Sequence, residues 1–124
     1  MDVPTDLYYS RDHEWLRIDG DVATVGITAY ATEALGDVVF VEPPRVGEQV
    51  LAGQVCGEIE STKAVSGLYS PVDGAIIAIN EELSEQPHLI NTDPFGDGWV
   101  FQVRIDSSAD LLSADCYSAL IEMR

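Results

Sequence analysis

The sequence is poor in basic residues. Six Lys and Arg residues stand against 22 Asp and Glu residues, which gives a formal net charge of −16, and Lys63 is the single lysine. A surface of this charge repels phosphate backbones and anionic lipid headgroups, so it disfavours nucleic acid and membrane partners. It favours partner proteins with positively charged faces, although high solubility in a salty cytoplasm would explain the same composition.

Long apolar runs are also missing. The 124 residues, 46% of them hydrophobic, are enough for one domain with a core, and we expect that domain to span residues 1–124. No apolar run approaches the roughly 18 residues of a membrane span. Residues 1–6 contain neither a basic nor an apolar stretch, so they resemble neither a secretory signal nor a transit peptide. We therefore expect a cytoplasmic protein.

Cysteine and histidine are scarce and lack the spacing of a metal site. Cys56 and Cys116 are too far apart for a redox or zinc motif, and we expect two buried thiols. The sequence does not decide between free thiols and a disulfide. His13-Glu14 begins like a zincin motif, but Arg17 occupies the place of the second histidine. The sequence therefore predicts no metal site.

Short strands dominate the predicted secondary structure. Their expected ranges are 15–18, 22–27, 38–41, 55–60, 65–69, 75–79 and 99–105. Asp19-Gly20 is a strong hairpin turn signal between the first two. The continuous run Val38–Val41 is typical of a buried strand. In 55–60 we expect Val55, Gly57 and Ile59 on one face and Cys56 on the other.

Two helices are predicted. Thr28 can cap a helix over Ala29–Leu35, and Gly36 suits the position after its end. Ser113 can cap a C-terminal helix whose apolar residues fall at helical spacing. That core-facing stripe comprises Leu112, Cys116, Tyr117, Leu120, Ile121 and Met123.

Lys63 lies in the four-residue break Ser61–Ala64 between two strands, the place for an exposed hairpin tip. A free lysine, with a pKa of about 10.4, is almost fully protonated at pH 7. The neighbouring Glu58 and Glu60 favour that charged form, so a catalytic Schiff-base amine is disfavoured. The sequence also lacks a nucleophile elbow and a glycine-rich phosphate loop. A lysine that another enzyme modifies fits better.

The segment Glu60-Ser61-Thr62-Lys63-Ala64 resembles the lipoylation motif of glycine cleavage H proteins, in which Glu-Ser-Val-Lys-Ala is usual. The likeness covers nearly the whole chain in order. The further matching blocks are Tyr9 with His13-Glu14-Trp15, Gly26-Ile27-Thr28 through Leu35-Gly36-Asp37, Ser70-Pro71 with Gly74 and Asn80, and Leu89-Ile90-Asn91 with Gly98-Trp99.

The resemblance implies a mainly β fold, the barrel-sandwich hybrid of lipoyl and biotinyl carriers. In that fold two small sheets are accompanied by short peripheral helices and a C-terminal helix. It also implies a lipoyl carrier, with lipoate attached to Lys63 in amide linkage by lipoate-attaching enzymes. Such a carrier is not itself an enzyme, and its contribution is to tether a reactive group near its partners.

The implied partners are the other components of the glycine cleavage system. The arm accepts an aminomethyl group from a pyridoxal-phosphate glycine decarboxylase and presents it to a tetrahydrofolate-dependent aminomethyltransferase. Dihydrolipoyl dehydrogenase then reoxidises the dithiol of the lipoyl arm. Family members fold the loaded arm into a surface cleft, where Glu14 is the residue expected to pair with the amine. The alternative is that Glu14 is a solvated surface acid. Some members have a histidine where this chain has Ala34.

Other classes of carrier protein are also considered for this sequence. A lipoyl domain of a 2-oxo acid dehydrogenase lacks the His13-Glu14-Trp15 block, and a biotinyl domain usually has methionines where Thr62 and Ala64 flank the lysine. An H-like scaffold that donates lipoate to other proteins is a different class of function, and it is compatible with the same motif.

Overall fold

A computed structural model describes residues 2–107 and 110–122 of the protein. In chain order its elements are β1 (Tyr8–Tyr9), β2 (Glu14–Asp19), β3 (Val22–Ile27), α1 (Ala29–Leu35), β4 (Val38–Glu42), β5 (Gln49–Val50), β6 (Val55–Ser61), β7 (Val65–Tyr69), β8 (Asp73–Ile79), a 3₁₀ helix (Glu81–Ser84), α2 (Leu89–Thr92), β9 (Phe101–Ser107) and α3 (Ala114–Glu122).

The strands form two antiparallel sheets. The larger has the order β1-β2-β3-β9-β8-β5 and the smaller β4-β6-β7. Both sheets contribute to one core, in which Leu16 and Val25 of the larger sheet belong to the same cluster as Ile59 and Leu68 of the smaller. The predicted fold class, two sheets with short helices and a C-terminal helix, is confirmed.

The local signals around β2, β3 and α1 are also confirmed. β2 and β3 pair up to Asp19 opposite Val22, and Gly20 makes the turn with a φ of +65°. The Thr28 hydroxyl accepts the N–H of Ala31 at 3.2 Å, which caps α1. Gly36, with a φ of +89°, ends the helix as glycine does most readily. These features depend on residues that are neighbours in the sequence, which is why the local sequence predicts them.

Two β-bulges overturn the predicted burial of β4 and the predicted strict alternation of β6. The register of β4 shifts between Val38 and Phe40, and Val39 and Phe40 are half exposed rather than buried. The register of β6 shifts at its start, so Val55 is 59% exposed. Cys56 packs against the core instead. A bulge inserts one residue and thereby exchanges the two faces of a strand, which strict alternation cannot anticipate.

The prediction of two buried thiols is wrong. Cys56 is half-buried and Cys116 is exposed, and both are free. Burial, with smaller contributions from Glu14 and Glu48, raises the pKa of the Cys56 thiol to about 12. Cys56 is therefore a packing residue in its thiol form near neutral pH.

The C-terminal helix begins as predicted but buries a different face. The Ser113 hydroxyl accepts the N–H of Cys116 at 3.2 Å. Ala114 and Tyr117 are the buried residues of α3, with Leu120 packed beside them. Cys116 lies about 100° around the helix from Tyr117 and faces solvent, so its place in the stripe is wrong. Met123 lies outside the described residues.

Candidate functional site

Lys63 lies at the exposed tip of the β6–β7 hairpin, as predicted. The turn is held by Ser61, whose N–H donates to the carbonyl of Ala64 at 2.8 Å. The Ser61 hydroxyl accepts the N–H groups of Lys63 at 3.3 Å and of Ala64 at 3.1 Å. These bonds close the turn and hold the backbone of the tip, while Lys63 itself is exposed.

The end of α1 supports the tip. The N–H of Thr62 donates to the carbonyl of Asp37 at 3.0 Å. The stem of Lys63 lies against Gly36, where a Cβ atom would come within 3.2 Å of the lysine Cε. Any larger residue at position 36 would displace this stem, besides meeting the strain of a positive φ.

A cleft of about 330 Å³ opens between α1 and the inner face of the smaller sheet. Its walls are mostly apolar and include Tyr30 and Leu35 of α1 and Ile59 of β6. Ser66 and Gly67, which follow Lys63 on the same hairpin, form another part of the wall. The lysine-bearing hairpin therefore contributes directly to the cleft. Ala34 also lines it, so the histidine of some family members has no counterpart here.

Glu14 lines the same cleft and is not a solvated surface acid. It is only 2% exposed, and the Ser10 hydroxyl donates to its Oε1 at 2.5 Å. Burial raises the pKa of Glu14 to about 8, with a smaller contribution from the nearby Asp12, while hydrogen bonds from Ser10 and the Tyr69 backbone oppose the shift. A cation that entered the cleft would favour the carboxylate form.

Tyr117 joins His13, the residue before Glu14, to Thr28 at the start of α1, a role that the sequence did not reveal. Its hydroxyl lies 2.8 Å from Nδ1 of His13 and 2.7 Å from the hydroxyl of Thr28. Its ring stacks on Tyr9, with centroids 4.7 Å apart. His13, next to Glu14, has a φ of +69°, which is uncommon for a residue with a side chain and costs energy. Only the placement of Tyr117 as an apolar helix residue was predictable.

Tyr117→Phe should lower the free energy of unfolding by about 1–3 kcal/mol, because it removes both hydroxyl contacts in a buried setting and keeps the ring. Tyr8→Phe is the matched control, since Tyr8 is 49% exposed and should change stability by less than about 0.5 kcal/mol. Urea unfolding of the two variants measures both values. Equal stabilities would remove Tyr117 from this role.

The solvent-facing side of the smaller sheet, here called the outer face, combines acidic and apolar residues. Glu42 pairs with Glu58 in register, and Glu60 lies between Phe40 and Val65. Phe40 and Val65 are 52% and 60% exposed. Like charges directly opposite each other destabilise a sheet, so the pairing of Glu42 with Glu58 should lower the stability of the smaller sheet.

Residues 2–107 and 110–122 contain no cluster of three or more His, Cys, Asp or Glu side chains arranged to hold a metal ion. In the same residues no helix has the length and apolarity needed to cross a membrane.

The two-sheet fold, with an exposed lysine at a hairpin tip, is the architecture expected of a carrier protein. The family model described as glycine cleavage H-protein matches residues 7–123. The glycine cleavage system H protein of Streptomyces coelicolor is 57% identical over 121 residues, covering 96% of this chain and 97% of its own. That of Beutenbergia cavernae is 55% identical over 120 residues, covering 97% of each chain.

A solved structure of an H protein is similar to this chain over nearly its whole length. The crystal structure of a glycine cleavage system H protein from Mycobacterium marinum superposes with a TM-score of 0.92 at 45% identity, covering 97% of this chain and 99% of that one. The chain belongs to the glycine cleavage H-protein family. The resemblance carried by residues 60–64 is thus confirmed, and with it the function of a lipoyl carrier in glycine cleavage.

Proposed function

We propose that Lys63 is the residue that carries lipoate, and that residues 1–124 act as one carrier domain. The observation that supports this most is the single lysine of the sequence at an exposed, well-supported hairpin tip. Attack of its amine on an activated lipoyl carbonyl forms the amide bond, breaks the bond to the leaving group and releases a proton. The tip has room for the group, since Lys63 is exposed and Gly36, which its stem contacts, has no side chain.

The chain's own contribution is to tether and protect, without catalysis of its own. When attached, the lipoyl group would supply a disulfide that, once opened, carries the aminomethyl unit on one of its two sulfurs. Tethering at Lys63 raises the local concentration of this unit at each partner. The cleft beside the hairpin supplies apolar walls that exclude water and one buried carboxyl, that of Glu14.

Glu14 is proposed to pair with the amine of the loaded arm. Its pKa of about 8 supports this role, because near neutral pH the empty cleft holds a neutral carboxyl and avoids a buried, unpaired charge. Entry of an ammonium group would compensate the charge, and the carboxyl would then release its proton. The charge would thus be present only when it has a partner.

The partners would be glycine decarboxylase, aminomethyltransferase, dihydrolipoyl dehydrogenase and the lipoate-attaching enzymes, in the cytoplasm. Intact mass of protein produced with lipoate available, followed by peptide mapping, tests the attachment. A lipoyl increment on the peptide that contains Lys63 is expected. An unmodified protein, or modification at the N-terminal amine alone, would refute the attachment site.

Association with glycine decarboxylase should slow as ionic strength rises. The net charge of −16 attracts basic faces over distances that salt screens, with a Debye length of about 10 Å at 0.1 M. Stopped-flow association rates from low to high salt would show this slope. A flat or rising dependence would favour solubility as the reason for the acidity.

Two double variants test which surface causes the salt dependence of association. Glu58→Gln with Glu60→Gln removes charge from the outer face beside Lys63 and should flatten the salt dependence. Glu81→Gln with Glu82→Gln removes the same charge from the exposed 3₁₀ helix. If the outer face docks the partner, the second pair should change the slope less than the first.

A further inference from the structure

Asn91 of α2 clamps residues 36–38, the segment between α1 and β4. Its Nδ2 donates to the carbonyl of Gly36 at 2.8 Å, and its Oδ1 accepts the N–H of Val38 at 2.9 Å. Only this orientation of the side-chain amide pairs a donor with an acceptor at both ends. The segment is therefore held on each side of Asp37.

The clamped segment is the support of the lysine hairpin. The carbonyl of Asp37, between the two clamped residues, accepts the N–H of Thr62. The lysine stem rests on Gly36. One side chain from α2 thus holds both contacts through which the end of α1 meets the tip, one to its backbone and one to the side chain of Lys63.

We propose that Asn91 is a positioning residue that fixes the direction in which Lys63 leaves the hairpin. This inference rests on Lys63 being the lipoylated residue. Asn91 does not bond the amine, and it acts through Gly36 and Asp37. Without it, the carbonyl of Gly36 and the N–H of Val38 lose these partners, and the segment shifts to satisfy them with water. The tip then samples more orientations, of which an attaching enzyme accepts a fraction.

The test is the rate of lipoylation of the full chain, purified without lipoate and supplied with a lipoate-attaching enzyme, ATP and lipoate. Asn91→Ala should lower kcat/KM by roughly tenfold, because the tip then spends a smaller fraction of its time in the orientation that the enzyme accepts. Relaxation of the Lys63 amide in nitrogen-15 NMR should show greater mobility in the variant than in the wild type.

Asn80→Ala is the matched control. The Asn80 amide also bridges backbone groups, donating to the carbonyls of Asp97 and Trp99 at 2.8 Å each. Its loss should lower the melting temperature about as much as Asn91→Ala does, while the lipoylation rate stays within about twofold, as for a change that is only structural. Equal slowing in the two variants would overturn the positioning role.

A second, milder variant tests the proposal if Asn91→Ala does not fold. Asn91→Asp keeps an acceptor for Val38 but loses the donor to Gly36, so it should slow lipoylation by a smaller factor. A rate equal to that of the wild type would overturn the proposal. If the wild type itself is acylated elsewhere than at Lys63, the proposed attachment site fails and this inference fails with it.

Discussion

Lys63→Arg should abolish lipoylation and glycine cleavage while the protein folds normally. Arginine keeps the positive charge and most of the stem, but its pKa above 12 leaves no neutral amine to acylate. The side chain is exposed, so the free energy of unfolding should change by less than about 0.5 kcal/mol. Intact mass, urea unfolding and the rate of glycine cleavage in the reconstituted system measure the three quantities.

A relocated lysine provides the control. Arg45→Lys, added to the Lys63→Arg variant, restores one lysine at an exposed position away from the hairpin tip. It should remain unmodified, because the hairpin support formed by Ser61, Asp37 and Gly36 is absent there. Glycine cleavage at the wild-type rate by Lys63→Arg would disprove the carrier role of this lysine. Unfolding of the variant would show that Lys63 is structural.

Glu14→Gln should remove a large pH dependence from the stability. The pKa of Glu14 rises from 4.5 to about 8 on folding because the carboxyl is buried. A raised carboxyl pKa contributes stability that is complete below pH 4.5 and is lost as the pH rises through 8. Across that window the wild type should lose roughly 1 kcal/mol per pH unit relative to the glutamine variant, which stays neutral. Urea unfolding from pH 5 to 9 measures the difference.

The exposed Glu60 is the matched control for that experiment. Glu60→Gln removes a carboxyl of the same type from the hairpin surface, and its stability curve should run parallel to that of the wild type. The substitution at Glu14 also preserves an oxygen that can accept the Ser10 hydroxyl, so it isolates ionisation from packing. A constant difference between Glu14→Gln and the wild type across the pH range would mean that Glu14 is solvated and does not sit in the cleft as an acid.

The sequence by itself determined the features that depend on a few neighbouring residues. Asp19-Gly20 is a dipeptide that favours a hairpin turn between two strands. Thr28 and Gly36 mark the two ends of α1 through local contacts and local backbone conformation. The exposed tip lysine followed in the same way, because the break at Ser61–Ala64 interrupts two strand patterns. The family was readable for the same reason, since its motif is a contiguous stretch.

Only the tertiary structure decided burial, pairing and ionisation. The bulge in β6 lies in its pairing with β7, and there Cys56 packs against the core while Val55 faces solvent. The raised pKa of Glu14 comes from burial in a cleft whose walls lie in α1, β6 and β7.

The support of Lys63 is non-local in the same way. It joins α1, α2 and the β6–β7 hairpin through Gly36, Asp37 and Asn91. Each of these contacts brings together residues far apart in the chain. The free energy of such a contact depends on the packing of the whole core around it, which no local pattern of residues encodes.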